Sequence, residues 1–417
     1  HPRIKGIKTG DKIISSNEFH KEIPKIISNL DNSYLYIQGP PGTGKTYQAA
    51  NAIIELLKQN KKIAITGLSH KVIHNLLQRI EDMASEKQFE FEGYKKGNLE
   101  DEDTVFNGEY IKTYGKDSVF MDALKERDKG QIFAGTKYHL ASSFYDEKID
   151  YLFIDETGQL SLADLISIGN IAKNIILIGD QNQLGQPIRG THPNESGQSI
   201  LDYLLEGKDT ISEDRGIFLN KTYRLNSKLT EFISSNFYEG RLICDERTDK
   251  RIIKFNKKLK IKDSGIHYIE MNHKNNVQTS IEEFEVIKDL MKEMIGLEFD
   301  DNGKKRKLTV DDFLIISPYN TQVNLLISKL EESKIKNPRV GTIDKFQGQE
   351  APITIISMTS SDSDSLPRNK EFFFSRNRLN VAISRAQVAS IILFNPNLLD
   401  SSPKNLDQIK LMNNFFK

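Results

Sequence analysis

The stretch "YLYIQGPPGTGKTYQAANAIIELL" limits the possible folds of this chain more than any other. Gly39, Pro40, Pro41, Gly42, Thr43, Gly44, Lys45 and Thr46 fit the pattern G-x-x-x-x-G-K-[ST]. The apolar run before them reads as a buried strand, and "TYQAANAIIELLKQ" after them carries helical spacing. A strand, a glycine loop and a helix start are the setting this pattern needs to hold a nucleoside triphosphate. Glycines let backbone N–H groups converge on phosphate oxygens, and the helix points its positive end at them. Lys45 then reaches the terminal phosphates and the Thr46 hydroxyl is placed to ligate magnesium, with Gly39, Pro41, Gly42, Thr43 and Gly44 cradling the rest. The loop alone does not choose among ring ATPases, small-molecule kinases, GTPases and nucleic-acid motors.

The rest of the chain predicts an α/β protein of two similar halves. "IAITG", "QIFAGTKYHLA", "IDYLFIDETGQL" and "NIILIGDQNQL" are near-continuous apolar runs typical of a parallel sheet covered on both faces. A second strand-helix series runs from "SGIHYIEM" to "RNRLNVAISRAQVASIILF", which predicts a second doubly wound domain. The expected division is a lead-in over 1–30, a first domain over 31–218 and a second over 219–417. Within the first, residues 84–130 are charged, Gly-dotted and weakly patterned, and read as a small insertion.

Composition sets softer bounds. The 58 basic and 58 acidic side chains cancel, which neither favours nor excludes nucleic acid, since affinity follows the phosphates contacted and not the total charge. Cys244 is the only cysteine, so an intrachain disulfide, a cysteine-rich zinc module and a four-cysteine iron–sulfur cluster are excluded. With no long apolar window and no signal-peptide core, the expectation is a cytoplasmic protein without a membrane segment. Beginning on His1 and not Met, the chain reads as a processed, tagged or excised piece.

In "YLFIDETGQ" an apolar strand ends in Asp155, placed to hold the metal, with Glu156 beside it to orient and deprotonate an attacking water. Next come "GDQNQL", "TYRLN", "VGTIDKFQGQE" and "RLNVAISRA", in an order that resembles a superfamily 1 helicase over residues 34–396. The chain is most similar to the branch of the nonsense-mediated decay helicase and Dna2-type helicases, and especially to bacterial helicase modules fused to a RecB-like nuclease. The resemblance implies two tandem RecA-like P-loop domains, ATP and Mg2+ as cofactors, and Lys45, Asp155, Glu156, Gln183, Arg224 and Arg385 as the catalytic set. Gln183 would touch the terminal phosphate, Asp180 would steady its loop, and the two arginines would neutralise charge on the transferred phosphoryl group, a task suited to a planar fork that stays charged. Tyr223 would stack on the base and Glu350 would bind the ribose. With catalytic groups on both halves, the triphosphate would sit in a cleft that closes on binding and opens on hydrolysis.

By the same resemblance Ser69, His70, Thr136, Tyr319 and Thr342 grip single-stranded nucleic acid through hydroxyls, backbone amides and an aromatic ring. DNA is favoured over RNA, the direction is 5′ to 3′, the chain is a monomer, and a nuclease domain or partner would lie outside it. Bland readings stand beside these: an isolated arginine is more often a surface residue, and Tyr223 can be core. His70 and His74 have the spacing of a zinc pair but lack a third ligand, the run Glu100 to Asp103 suits a solvated loop, and Lys304 to Lys307 suits an exposed turn.

Three positions depart from the family pattern. Leu68-Ser69-His70 replaces Pro-Ser-Asn, Gln186 replaces a proline after "GDQNQL", and no adenine-reading glutamine stands between Asp11 and Ile37. The leading expectation is an ATP-driven translocase and helicase. The alternatives are a nucleic-acid-stimulated ATPase that remodels protein–nucleic-acid complexes without separating strands and, against the duplicated core, a protein-remodelling ring ATPase.

Overall fold

The computed structural model describes residues 1–16, 18–126, 128–185, 199–256, 261, 263–362 and 375–398. They form two compact units. The first holds His1–Pro40, Gly44–Gln181 and Gly185–Leu219, while Pro41–Thr43 and Asn182–Leu184 group with the second unit, which continues from Asn220 onward.

The first unit is built on eight strands: β1 (Tyr34–Gln38), β2 (Lys62–Thr66), β3 (Glu92–Lys96), β4 (Ile111–Tyr114), β5 (Gln131–Ala134), β6 (Ile149–Ile154), β7 (Ala172–Gly179) and β8 (Gly216–Phe218). Their order is β4-β3-β5-β2-β6-β7-β1-β8, and every pairing is parallel. β1, β2, β5, β6 and β7 are buried along most of their length, as sheet covered by helices on both faces requires. Helices α1 (Phe19–Ser28), α2 (Lys45–Leu57), α3 (His70–Glu86), α4 (Asp117–Lys125), α5 (Lys137–Leu140), α6 (Leu162–Gly169) and α7 (Ile200–Leu205) intervene. Ile53, Ile54 and Leu56 of α2 and Ile73, Leu76 and Leu77 of α3 close one core with Ile63, Ile65 and Phe153 of the sheet.

Two of the eight strands, β3 and β4, come from the segment expected as an insertion, and they extend the same parallel sheet. The segment looked unpatterned because β3 buries only alternate residues and one of them is Lys95. Its turn is held by the buried Glu81 of α3, whose carboxylate accepts the backbone N–H groups of Glu109 at 3.0 Å, Tyr110 at 3.1 Å and Ile111 at 2.7 Å.

The second unit begins with the short parallel pair β9 (Lys221–Thr222) and β10 (Ile243–Cys244). Its main sheet contains β12 (Gly265–Glu270), β15 (Phe313–Ile316), β16 (Val340–Gly341), β17 (Ala351–Ser357) and β18 (Ala386–Phe394), all parallel, in the order β12-β18-β17-β15-β16. Helices α8 (Ser227–Phe237), α9 (Ile281–Met294), α10 (Asn320–Glu332) and α11 (Arg376–Ile383) belong to this unit. Phe284, Ile287 and Met291 of α9 and Leu326 and Leu330 of α10 pack on Phe313, Ile315, Ile353 and Ile355.

A side sheet of β11 (Arg251–Ile253), β13 (Glu298–Asp301) and β14 (Lys304–Lys307) is antiparallel. The basic run Lys304–Lys307 is exposed as expected, but as a strand and not a turn. Its lysines lie opposite Glu298, Asp300 and Asp301 across the ladder, and such opposite-charge pairs stabilise the pairing.

Candidate functional site

In the first unit the expected site residues collect at the carboxyl ends of five adjacent strands. Reading across the sheet from β5 through β2, β6 and β7 to β1, these ends lead into Thr136, then Ser69 and His70, then Asp155 and Glu156, then Asp180, then Gly39 and the loop to Lys45. This edge is where open α/β sheets bind ligands. The strand-gripping candidates lie beyond β5 and β2, and the phosphate candidates beyond β6, β7 and β1.

The phosphate loop is anchored at its base by the Gly39 N–H, which donates to Gly179 O at 3.0 Å. Gly44 caps α2 with φ 80°, left-handed backbone that suits glycine. Lys45, the first residue of α2, donates from Nζ to Gly39 O at 2.5 Å and so folds back over the loop. Behind the loop, the fully buried Gln38 donates to Gln181 Oε1 at 3.0 Å and to Asp209 O at 2.9 Å, and accepts the Ile211 N–H at 2.7 Å. Its amide is therefore committed to the protein and does not stand in for the missing base-reading glutamine.

Asp155 is 7 % exposed. Burial and the neighbouring Glu156 charge raise its pKa to about 7, against the pull of Lys45 and of the Glu156 N–H that donates to Oδ1 at 2.9 Å. Glu156 has φ 54°, a left-handed conformation uncommon for a non-glycine residue. Thr157 fixes this turn through Oγ1, whose one hydrogen is shared between Ile154 O at 2.8 Å and Ile178 O at 2.9 Å. A buried carboxyl with a raised pKa beside a second acid is a site that a cation would hold ionised.

In the second unit Thr222 donates to Pro41 O at 2.8 Å, and the Tyr223 N–H donates to Gly42 O at 2.8 Å. A Cβ on Gly42 would meet Arg224 Cβ at 2.4 Å, so glycine is required there for packing as well as for its φ of 73°. Gln183 is buried beside Asn182, whose amide donates to Phe237 O at 2.6 Å. Tyr223 is 45 % exposed with the Arg247 guanidinium 5.4 Å from its ring centre.

Arg224 donates from Nε to Glu350 and from Nη1 to Ser384 O at 3.2 Å. Glu350 also accepts from Gln387 at 2.8 Å. Burial opposes its ionisation, but the Arg224 charge and these hydrogen bonds outweigh it and hold the carboxyl below its usual range. Arg385 is buried, donating to Val381 O and Gln349 O, each at 3.2 Å. Arg224 and Arg385, expected to act as a pair, thus share one neighbourhood with Glu350, expected to bind the ribose.

The strand-gripping candidates differ in access. Ser69 caps α3, accepting the Val72 N–H at 3.3 Å, while His70 and Thr136 line one cavity of about 910 Å³. In the second unit Tyr319 and Thr342 follow the adjacent strands β15 and β16. Tyr319 is only 5 % exposed and shares a 3.4 Å hydrogen bond with Ser360, so its ring face is not offered to solvent in this conformation. Thr342 is half-buried and its carbonyl accepts the Lys345 N–H at 3.1 Å. Gln186 lies outside the described residues. Among the described residues no group of three or more His, Cys, Asp or Glu is arranged to hold a metal, and no helix is long and apolar enough to cross a membrane. His70 and His74 accordingly lack a third ligand there. Sequence reasoning passed over Lys95 and Tyr138, one a buried cation and the other a largely exposed aromatic at the same cavity as His70.

Two family profiles, each described as an AAA domain, match residues 24–188 and 197–397. The DNA replication ATP-dependent helicase/nuclease dna2 of Schizosaccharomyces pombe is 28% identical over 398 residues, covering 88% of this chain and 27% of that protein. The DNA polymerase alpha-associated DNA helicase A of the same yeast is 25% identical over 84% of this chain and 59% of its own length. A regulator of nonsense transcripts 1 homolog from Neurospora crassa is 24% identical over 93% of the chain and 39% of its own length. The chain therefore spans less than two thirds of each. Among solved structures, the DUF1998 helicase MrfA bound to DNA shares the fold with a TM-score of 0.51 and 10% identity, over 100% of this chain and 55% of that one. Both halves of the chain thus match AAA-domain families, and the chain is similar over most of its length to superfamily 1 helicases of the Dna2 and regulator-of-nonsense-transcripts kind.

Proposed function

We propose that this chain is the motor portion of a larger protein, moving 5′ to 3′ along single-stranded DNA at the expense of ATP. The observation that carries the reading is the strand-end series in the first unit. Nucleotide-binding and strand-gripping candidates occupy neighbouring loops on one sheet edge, which is the placement a motor coupling the two would need.

In this reading Lys45 and the loop amides take the terminal phosphates. Thr46 and Asp155 fit magnesium, since both offer hard oxygen and the Asp155 carboxyl makes no ion pair among the described residues, the nearby Lys45 charge being too weak to keep its pKa low; the metal would screen the phosphate charge. Glu156 orients the attacking water and accepts its proton, a role worth roughly 10²–10⁴ in rate. Gln183, Arg224 and Arg385 meet the transferred phosphoryl group, Arg224 and Arg385 exchanging their present protein partners for phosphate oxygens. Tyr223 stacks on the base and Glu350 turns to the ribose. Ser69, His70, Thr136, Tyr319 and Thr342 hold the strand.

DNA is preferred to RNA because the nuclease-linked relatives are named for DNA replication. The N. crassa relative, named for nonsense transcripts, keeps RNA in play. Duplexes carrying a 5′ or a 3′ single-stranded tail decide both direction and strand separation. The proposal expects unwinding from 5′ tails with ATP present; unwinding only from 3′ tails rejects the direction. ATP turnover with release of bound proteins and no strand separation would favour a remodelling enzyme instead.

A further inference from the structure

The turn that carries Tyr223 and Arg224 is gripped from two sides. On one side Thr222 donates to Pro41 O and the Tyr223 N–H to Gly42 O. On the other, residues 245–251 wrap around it. The Asp245 N–H donates to Thr222 O at 2.9 Å, the Arg247 guanidinium lies 5.4 Å from the Tyr223 ring centre, and Asp249 Oδ1 accepts the Ser227 N–H at 2.7 Å. The segment ends on Arg251, the first residue of β11, whose side chain is 17 % exposed.

Arg251 completes the grip. Its Nη1 donates to Tyr223 O at 3.2 Å and to Arg224 O at 3.0 Å. Its Nε donates at 3.2 Å to Oδ1 of Asp301, the residue opposite it on β13. One guanidinium thus satisfies two consecutive carbonyls, one hydrogen of Nη1 to each, while a carboxylate orients its plane. An ammonium in its place would have enough hydrogens but no fixed directions for them.

The Arg224 N–H in turn donates to Thr222 Oγ1 at 3.3 Å, so every backbone polar group of Tyr223 and Arg224 has a partner. The backbone is fixed, and the two side chains are what remains free to respond to a ligand. Arg251 also acts at a distance on the same neighbourhood. Burial disfavours the Glu350 carboxylate, Arg224 restores it, and the Arg251 charge adds to that pull.

Such a grip matters where geometry is translated into rate. A reacting or contacting group displaced by about 1 Å can lose on the order of 10²-fold in turnover. Tyr223 and Arg224 are adjacent in the chain but are expected at different parts of one nucleotide, so a small rotation of their shared backbone would misplace both at once.

Resting on the proposed roles of Tyr223 and Arg224, we propose that Arg251 is a positioning residue for ATP hydrolysis. It acts through the backbone of the Tyr223–Arg224 turn, aiming the ring at the base and the guanidinium at the transferred phosphoryl group. The antiparallel side sheet thereby gains a part in the nucleotide site: Asp301 on β13 orients Arg251, and Arg251 orients the turn.

The test is steady-state ATP turnover by the full chain with single-stranded DNA present. Arg251→Met keeps the apolar stem and removes the donors. It is expected to raise the KM for ATP and lower kcat together, with kcat/KM down roughly 10- to 100-fold. Arg251→Lys, which can still reach a carbonyl, should recover part of that loss. A brace that only stabilises the fold would lower the thermal midpoint and leave the kinetics of the folded chain unchanged, a result that overturns the proposal.

A double variant gives the sharper readout. In a chain already carrying Tyr223→Ala, Arg251→Met should raise KM less than about twofold further, since the ring it aims is gone, while still lowering kcat. Effects on KM that multiply in full overturn the proposal. Should Arg251→Met not fold, Arg251→Lys and Asp301→Ala take its place, and wild-type kinetics in both overturn it. Wild-type kinetics in Tyr223→Ala and Arg224→Ala would overturn the roles on which it rests, whereas losses there with none in the Arg251 variants overturn this proposal alone.

Discussion

Asp155 shows at the residue scale how a buried carboxyl costs stability. Its folded pKa of about 7 exceeds the ordinary 3.8, so the fold disfavours the ionised carboxyl. Below pH 3.8 both folded and unfolded forms hold the proton and nothing is lost. The penalty grows as pH rises from 3.8 toward 7 and is complete above that, reaching on the order of 4 kcal/mol for a shift of this size. Asp155→Asn removes the charge and keeps the shape, so it should raise the thermal midpoint of the nucleotide-free chain, more at pH 8 than at pH 5, while abolishing ATP turnover. An equal gain at both values would mean that the carboxyl is not the strained group. Tyr223 offers a second residue-scale test because its ring is reachable and its backbone is fixed to Gly42. Tyr223→Ala should raise the KM for ATP several-fold and change kcat less, since stacking on the base is binding shared by ground and transition states. Unchanged ATP affinity would discard the stacking role.

Elements show why parts of the molecule were legible in sequence and others were not. "YLFIDETGQ" and "NIILIGDQ" announced β6 and β7 because a strand buried on both faces must be apolar throughout. β3 and β4 gave no such signal. They lie at the sheet edge, their burial alternates, and a lysine occupies a core position where a reader of pattern expects an aliphatic. The pairing of Arg224 with Glu350 was equally hidden, since the partners are 126 residues apart and each had been given a task of its own. Tyr319 was expected to face a base, yet the start of α10 turns its ring into the protein. The edge strands depend on Glu81, one carboxylate satisfying three backbone N–H groups. Glu81→Ala strands those donors, and hydrogen bonds to a charged group are worth about 1.5–3 kcal/mol each before relaxation. A loss of about 2–4 kcal/mol in denaturant unfolding is expected, with faster amide exchange at residues 109–111 while β6 and β7 stay protected. Uniform exchange would mean that the edge is not held by this contact.

At the scale of the whole molecule, the chain repeats one architecture: a parallel sheet covered by helices, once with a phosphate loop and once without. The relatives that the chain resembles are named for a helicase/nuclease and for nonsense transcripts, and the chain spans 27% and 39% of their lengths. The central claim is that ATP turnover here is coupled to a nucleic-acid strand. It is tested most directly by the steady-state ATPase rate of the purified chain alone, with single-stranded DNA and with single-stranded RNA, using Glu156→Gln as the control. The account predicts a rate that one polymer raises strongly, DNA more than RNA, and that falls roughly 10²–10⁴-fold in the variant. A Glu156-dependent rate that neither polymer changes would contradict it.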